Sequence, residues 1–353
     1  MRHSITLIAL LALAGGNASL AQTQIKIATL APENTQLMKE FRAGAEEIRQ
    51  RTDGRVNMKF YAGGVQGTES KVLRKIQIGQ LHGGTFSPTD FQKQVPDLNV
   101  YGLPFVFESA DEVRYVRERM DSQMMEGIEG VGFATFGFAG AGFAIILSNE
   151  PVRSHADLKG KKVWLPEGDL ISYEAMKAVQ LSPVALPLTD VLTGLQTGLV
   201  DIVAIPPVVA LALQWHTKVK YVTRTPVLYV MGFLAIQDKA FQRLDVADRE
   251  VVSEVMTGIY ARIDTASEKE SVAATEALIN VGLHEVVPDT GEFEAIRAQM
   301  VETNRQMAQQ GMFSMDTLQR MQGYIAEYRA NASGNSATGA VVEDSSSVAG
   351  TRE

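Results

Sequence analysis

At 353 residues, with 45% hydrophobic and 21% charged content, the chain is long enough for two domains and ordinary in composition for a globular protein. A formal net charge of −8, with no basic stripe and no surface of interleaved arginine and aromatic residues, argues against a nucleic-acid partner. The absence of cysteine excludes disulfides, thiolate metal sites and cysteine-borne lipid anchors.

The chain starts basic at Met1-Arg2-His3, continues as an apolar run over 5–14, and reaches a small-x-small step at Ser19-Leu20-Ala21. Residues 1–21 therefore read as a cleavable signal peptide. Gly15-Gly16-Asn17 ends the apolar run well short of the ~20 residues a membrane span needs. An exported chain without disulfides must rely on its core, which a chain of this size can build. The expectation is a soluble protein of the periplasm.

Residues 24–30 (QIKIATL) alternate and are β-branched, which predicts a first strand. Leu37, Met38, Phe41, Ala45 and Ile48 recur at helical spacing over 35–51, and Thr52-Asp53-Gly54 forms the stop. A strand over 56–61, a helix over 68–78 closed by Gly79, and a strand over 81–86 follow. Strand-helix-strand-helix-strand means a parallel sheet, whose ligands sit beyond the carboxyl ends of the strands. Two helical pieces are expected over 110–119 and 122–129, then a Gly- and Phe-rich apolar run over 131–147 that suits buried strands passing between two lobes.

From Ala156 to Pro207 the chain repeats the β-α-β-α-β logic: a charged turn, strand residues at 163–165, a helix, a second helix and a buried apolar run. Residues 221–236 read as a strand pair broken at Pro226. A long helical pattern over 247–281 extends roughly 50 Å at 1.5 Å per residue, enough to lie across two lobes. Helices over 291–310 and 315–329 follow, and the Ser-, Gly- and Ala-rich segment 331–353 reads as a disordered tail. The predicted class is α/β: a two-lobed periplasmic binding protein fold with hinge-crossing strands and a long helix spanning both lobes. Lobe I takes 22–142 and about 226–265, and lobe II takes 143–225 and about 266–330.

Two stretches, Asp157-Leu158-Lys159-Gly160-Lys161-Lys162 and Leu195-Gln196-Thr197-Gly198-Leu199-Val200-Asp201, together with Gly54-Arg55-Val56, Gln66-Gly67, Leu103-Pro104-Phe105-Val106-Phe107 and Gly142-Phe143, give a pattern that resembles the DctP-type solute receptors of TRAP transporters. The resemblance implies two α/β lobes closing on a small-molecule ligand and delivery to a small and a large integral membrane subunit. It implies neither a cofactor nor a metal. Most relatives are expected to hold organic acids through an arginine on the strand after the DLKG turn; here that position is Trp164. A second arginine, which follows Gly-Phe in many relatives, is Ala144, and the Gln-Glu-Asn-Pro of relatives reads Val203-Ala204-Ile205-Pro206. A carboxylate clamp needs fixed bidentate donors, for which arginine is suited.

The resemblance places Trp164 toward the cleft, where its ring can stack and its indole N–H can aim one hydrogen bond; a core tryptophan under lobe II is the alternative. Phe86 and Ser87, at the carboxyl end of a strand, are candidate ligand contacts, as is Phe143. Glu33 and Gln66 lie on loops where relatives place polar contacts, and Leu188, Ile205 and Pro207 lie where relatives line the cleft. Asp169 is read as a helix N-cap, while Glu167 suits an amine, a bridging cation or simple exposure to water. His82, His155, His216 and His284 form no i,i+4 metal pair, and no nucleophile elbow or phosphate-cradling loop is present. No catalytic residue is assigned. A periplasmic sensor, or a hydrolase or lyase on the same scaffold, stands as the alternative to a transport receptor. The expected cargo is an apolar or aromatic acid or another weakly charged molecule rather than a small dicarboxylate.

Overall fold

The computed structural model describes residues 22–343, with side chains described through residue 332; the expected signal peptide, 1–21, and the last ten residues lie outside the described residues. Strand β1 (Thr23–Ala28), helix α1 (Gln36–Arg51), β2 (Val56–Tyr61), α2 (Glu69–Gln77) and β3 (Gly83–Phe86) open the chain. Helix α1 starts where the Thr35 side chain accepts the Met38 N–H, and it buries Met38, Phe41 and Ile48 on one face. β1 pairs in parallel with both β2 and β3, as the alternation of strands and helices predicts.

Helix α3 (Ala110–Gly130) is one unbroken helix, which corrects the expectation of two pieces. Asp121, at the apparent break, accepts from Arg117 one turn earlier at 2.9–3.1 Å, so its polarity belongs to an internal network rather than to a loop. After α3 come β4 (Phe133–Ser148), α4 (His155–Leu158), β5 (Lys162–Pro166), α5 (Leu170–Ala178), β6 (Ser182–Leu186), α6 (Val191–Thr197), β7 (Ile202–Ile205) and α7 (Pro207–Ala212). The chain continues with β8 (Tyr221–Gln237), α8 (Asp238–Phe241), α9 (Val246–Asn280), β9 (His284–Val286), α10 (Glu292–Gln309) and α11 (Met315–Glu343).

The strands form one sheet in the order β2-β1-β3-β8-β4-β7-β5-β6, with β9 on the far end of β8. The long antiparallel pair β4 and β8 runs through both lobes, and every other strand belongs to one side. β8 is a single strand, not the broken pair expected from Pro226. That proline falls between the pairs Ile146↔Thr223 and Ala144↔Leu228, where the register shifts, and a bulge does not need the N–H that proline lacks. A second shift separates Gly140↔Met231 from Gly142↔Val230, with Gly142 at φ +94, a left-handed conformation that favours glycine.

Helix α9 packs Val252, Val255, Met256 and Ile259 against the lobe I residues Phe41, Phe60 and Leu234. Its other end places Leu278 in the lobe II core with Val203 and Trp215. The predicted two-lobe span of this helix is thus present. The C-terminal boundaries differ from expectation. Helix α10 begins in lobe II, with Phe293, Ile296 and Met300 against Leu158 and Ala175. Its end and α11 place Met307, Phe313, Leu318 and Met321 in the lobe I core with Val113 and Met120. Helical backbone also continues from Asn331 to Glu343, across a segment where the sequence suggests disorder. Among the described residues, no helix is long and apolar enough to cross a membrane.

Candidate interlobe ligand cleft

Between the lobes lies a cleft of about 800 Å³. It opens beyond the carboxyl ends of β3 and β5, where a doubly wound sheet presents its loops. One wall is apolar, built by Ile146, Val163, Leu165, Met176, Ile202 and Ile205. The lobes already touch across the cleft: the Gln92 side-chain amide donates to the Gly168 carbonyl, and both residues line it.

Of the predicted site residues, Ser87, Trp164, Glu167, Leu188 and Ile205 line this cleft. Trp164 does so while only 3% exposed. Its Nε1–H donates to the Leu186 carbonyl at 3.0 Å, and its ring meets Trp215 edge to face at 5.2 Å. The expectation that this N–H aims at a ligand is therefore corrected, because the parallel neighbour β6 ends on an acceptor within its reach.

The other predicted residues are placed elsewhere. Phe86 is buried and packs on Phe91. Phe143 meets the Tyr229 ring edge-on at 5.2 Å beside the lobe I core. Ala144 is fully buried in β4, and Pro207 is buried at the start of α7. Glu33 forms a two-pronged ion pair with Arg42 at 2.9 Å, largely in solvent, and the Gln66 side chain accepts from Lys75 at 2.9 Å. None of these six is part of the cleft lining. Phe86 ends β3, and Glu33, Gln66 and Pro207 follow strands, whereas Phe143 and Ala144 lie within β4; packing or a neighbouring cation has claimed the side chains.

The sequence reading missed three polar groups that do line the cleft: Glu69, Asp90 and, as more than a cap, Asp169. Asp90 belongs to a capping box, accepting from the Ser87 N–H at 2.7 Å and the Ser87 hydroxyl at 2.8 Å. Asp169 caps α5 as expected, accepting from the Ser172 N–H at 3.0 Å and its hydroxyl at 2.7 Å. Glu69 occupies the first turn of α2, where its carboxyl accepts from its own backbone N–H. Burial, followed by the charge of Asp90, pushes the Glu69 carboxyl up to about 7. Burial pushes Asp90 up to about 6 against the two Ser87 hydrogen bonds, with Asp169 adding to the rise. Asp169 is also raised, by burial.

Two cations, Arg74 and Lys93, line the cleft as well, both exposed. In sequence, Glu69 looks like any acidic residue favouring a helix start, and Arg74 like any charge on the outer face of an amphipathic helix. The Ser87-Pro88-Thr89-Asp90 spacing is the one signal that could have flagged Asp90. Among the described residues, no group of three or more His, Asp or Glu side chains is arranged to hold a metal ion.

Residues 27–310 match the DctP family, described as bacterial extracellular solute-binding protein, family 7. A solute-binding protein of Verminephrobacter eiseniae is 26% identical over 233 residues, 65% of this chain and 69% of that protein. The 2,3-diketo-L-gulonate-binding periplasmic protein of Escherichia coli is 22% identical over 64% of this chain and 70% of its own length. Among solved structures, the galactonate complex of a sugar acid binding protein from Advenella mimigardefordensis superimposes with a TM-score of 0.81. That likeness covers 87% of this chain and 99% of the other at 17% identity.

Proposed function

The chain belongs to the DctP family of bacterial extracellular solute-binding proteins, family 7, and we propose that it works in the periplasm as the receptor of a TRAP transporter, closing its lobes on one small solute and passing it to a small and a large integral membrane subunit. The observation that carries this reading is the cleft itself: about 800 Å³ between two lobes that, among the described residues, are joined by the β4–β8 pair, α9 and α10. That volume suits one small molecule, and lobes joined at a few crossings close by hinge motion. Family members are solute-binding proteins rather than enzymes, and the catalytic roles of the described residues remain unassigned.

Relatives named for 2,3-diketo-L-gulonate and galactonate support a small organic solute. The apolar wall from Ile146 to Ile205 supports a ligand with more hydrocarbon than a sugar acid, since buried apolar area contributes about 25 cal/mol per Å² before ordering costs. Native mass spectrometry of protein purified without unfolding tests the reading. One bound small molecule per chain, lost in the cleft-filling variant Ala204→Trp, is the expected result. Retention of that molecule by a folded Ala204→Trp protein contradicts it.

A further inference from the structure

Three carboxyl groups converge in the cleft from both lobes. Glu69 and Asp90 belong to lobe I and Asp169 to lobe II. The three differ in how they are engaged. Asp90 and Asp169 each hold the N–H and hydroxyl of a serine, so their oxygens already serve helix starts. Glu69 holds no serine; its donor is its own backbone N–H, and it is partly buried. A partly buried carboxylate with one backbone donor is costly to ionise, and the neighbouring Asp90 carboxyl increases that cost.

The donors that relatives are expected to bring to a bound acid are missing at the matching positions. Trp164 stands in the β5 position, its N–H committed to Leu186, and Ala144 is sealed in β4. The other charged groups of the lining are Asp90, Asp169 and Glu167, with Arg74 on the helix of Glu69 and Lys93 after the Ser87–Asp90 turn as its cations. Both cations are exposed, as is Glu167, where water screens them, whereas Glu69 and Asp90 are partly buried and Asp169 is buried.

We propose that the cleft selects a ligand carrying a protonated amine on an apolar body, with the ammonium seated on Glu69. The hydrocarbon part lies against Ile146, Met176, Ile202 and Ile205. The ammonium gives Glu69 a charged donor beside its own N–H and offsets the repulsion between it and Asp90. A carboxylate on the same ligand is compatible, because Arg74 and Lys93 can meet it at the lobe I side. The proposal rests on the reading of the cleft as the solute site.

The test is a thermal-shift screen of the full chain at pH 7.5 with matched sets of small aryl and alkyl amines, amino acids and the corresponding nitrogen-free monocarboxylates. Hits are then titrated calorimetrically. Expected hits carry an amine and bind at least about tenfold tighter than their carboxylate counterparts. Glu69→Gln removes that preference while leaving the fold intact by circular dichroism. Affinity of the wild type for the amine also rises between pH 6 and 8, as Glu69 ionises. Hits confined to carboxylates, or an amine preference unchanged in Glu69→Gln, overturn the proposal and leave the receptor reading standing. No hit in any set overturns both.

Discussion

The indole N–H of Trp164 and the backbone N–H of Glu167 donate to the same oxygen, the carbonyl of Leu186, at 3.0 and 3.2 Å. This shared acceptor ties the end of β5 to the end of β6 directly under the cleft. It gives Trp164 a structural role beneath the cleft. Because Glu167 still satisfies the carbonyl when the indole is removed, Trp164→Phe is expected to cost only about 1 kcal/mol. Trp164→Ala, which also opens a cavity beside Trp215, is expected to cost about 3–5 kcal/mol. Urea denaturation of the two variants measures the difference, and equal losses would show that the hydrogen bond outweighs the packing.

A buried guanidinium sits where β4 crosses between the lobes. Arg117, 8% exposed, binds Asp264 of α9 at 2.6 Å, Asp121 at 2.9 Å and the Phe138 carbonyl at 2.9 Å, while Asp264 also accepts from the Gly140 N–H at 2.8 Å. Arg117→Met strands two carboxylates in a poorly hydrated place and is expected to cost about 3 kcal/mol or more, as breaking a buried pair does. The double variant Arg117→Met/Asp264→Asn should recover part of the loss. A double-mutant cycle from denaturation midpoints checks this.

At the same crossing, a methyl group on Gly140 would lie 1.9 Å from the Tyr229 hydroxyl and 2.7 Å from the ring carbon that carries it. Tyr229 is itself buried and packed edge-on against Phe143, so it has little room to move. Gly140→Ala is expected to lower stability by about 1–3 kcal/mol. Gly54→Ala, in a surface turn with open space around it but φ +79, is the comparison: its loss comes from backbone strain alone, about 1 kcal/mol. Thermal unfolding of both variants separates steric clash from strain.

The raised carboxyl of Glu69 has a definite pH signature. Its folded value, about 7, lies above the ordinary value of 4.5, so between those limits the folded state binds more protons than the unfolded chain. Stability associated with this group is therefore fully present below about pH 4.5 and is lost as pH rises through 7. His82, lowered by burial and by the charges of Lys26 and Arg243, pulls the other way in the same range, so the comparison is made against Glu69→Gln. The variant should gain on the wild type from pH 5 to pH 8 by on the order of 1–3 kcal/mol. A constant difference across that range would place Glu69 in contact with water.

The β-α-β halves were legible in the sequence because turn signals bound the strands and capping residues mark helix starts, as at Thr35 and Asp169. The long helix was legible because Val252, Val255, Met256 and Ile259 keep their spacing. Pro226 misled because a bulge in β8 absorbs it, and the placement of α11 on lobe I could not be read from a helical pattern that does not name its partner. The cleft was legible in outline at Ile205 and Leu188, through the resemblance. It was not legible at Glu69 or Asp90, whose chemistry depends on burial by residues far away in the chain. Phe86 was placed near the site by the end of its strand, and Phe143 and Ala144 by the resemblance, yet the direction of each side chain is set by sheet pleating and packing.

The most direct measurement is a crystal structure of the protein carrying the solute it retains through purification. The account predicts density enclosed by both lobes, with an amine nitrogen within hydrogen-bonding distance of Glu69 and hydrocarbon against Ile202 and Ile205, while the Trp164 N–H stays on Leu186. A bound acid gripped in the cleft by a cation, with Glu69 turned away into solvent, would contradict it.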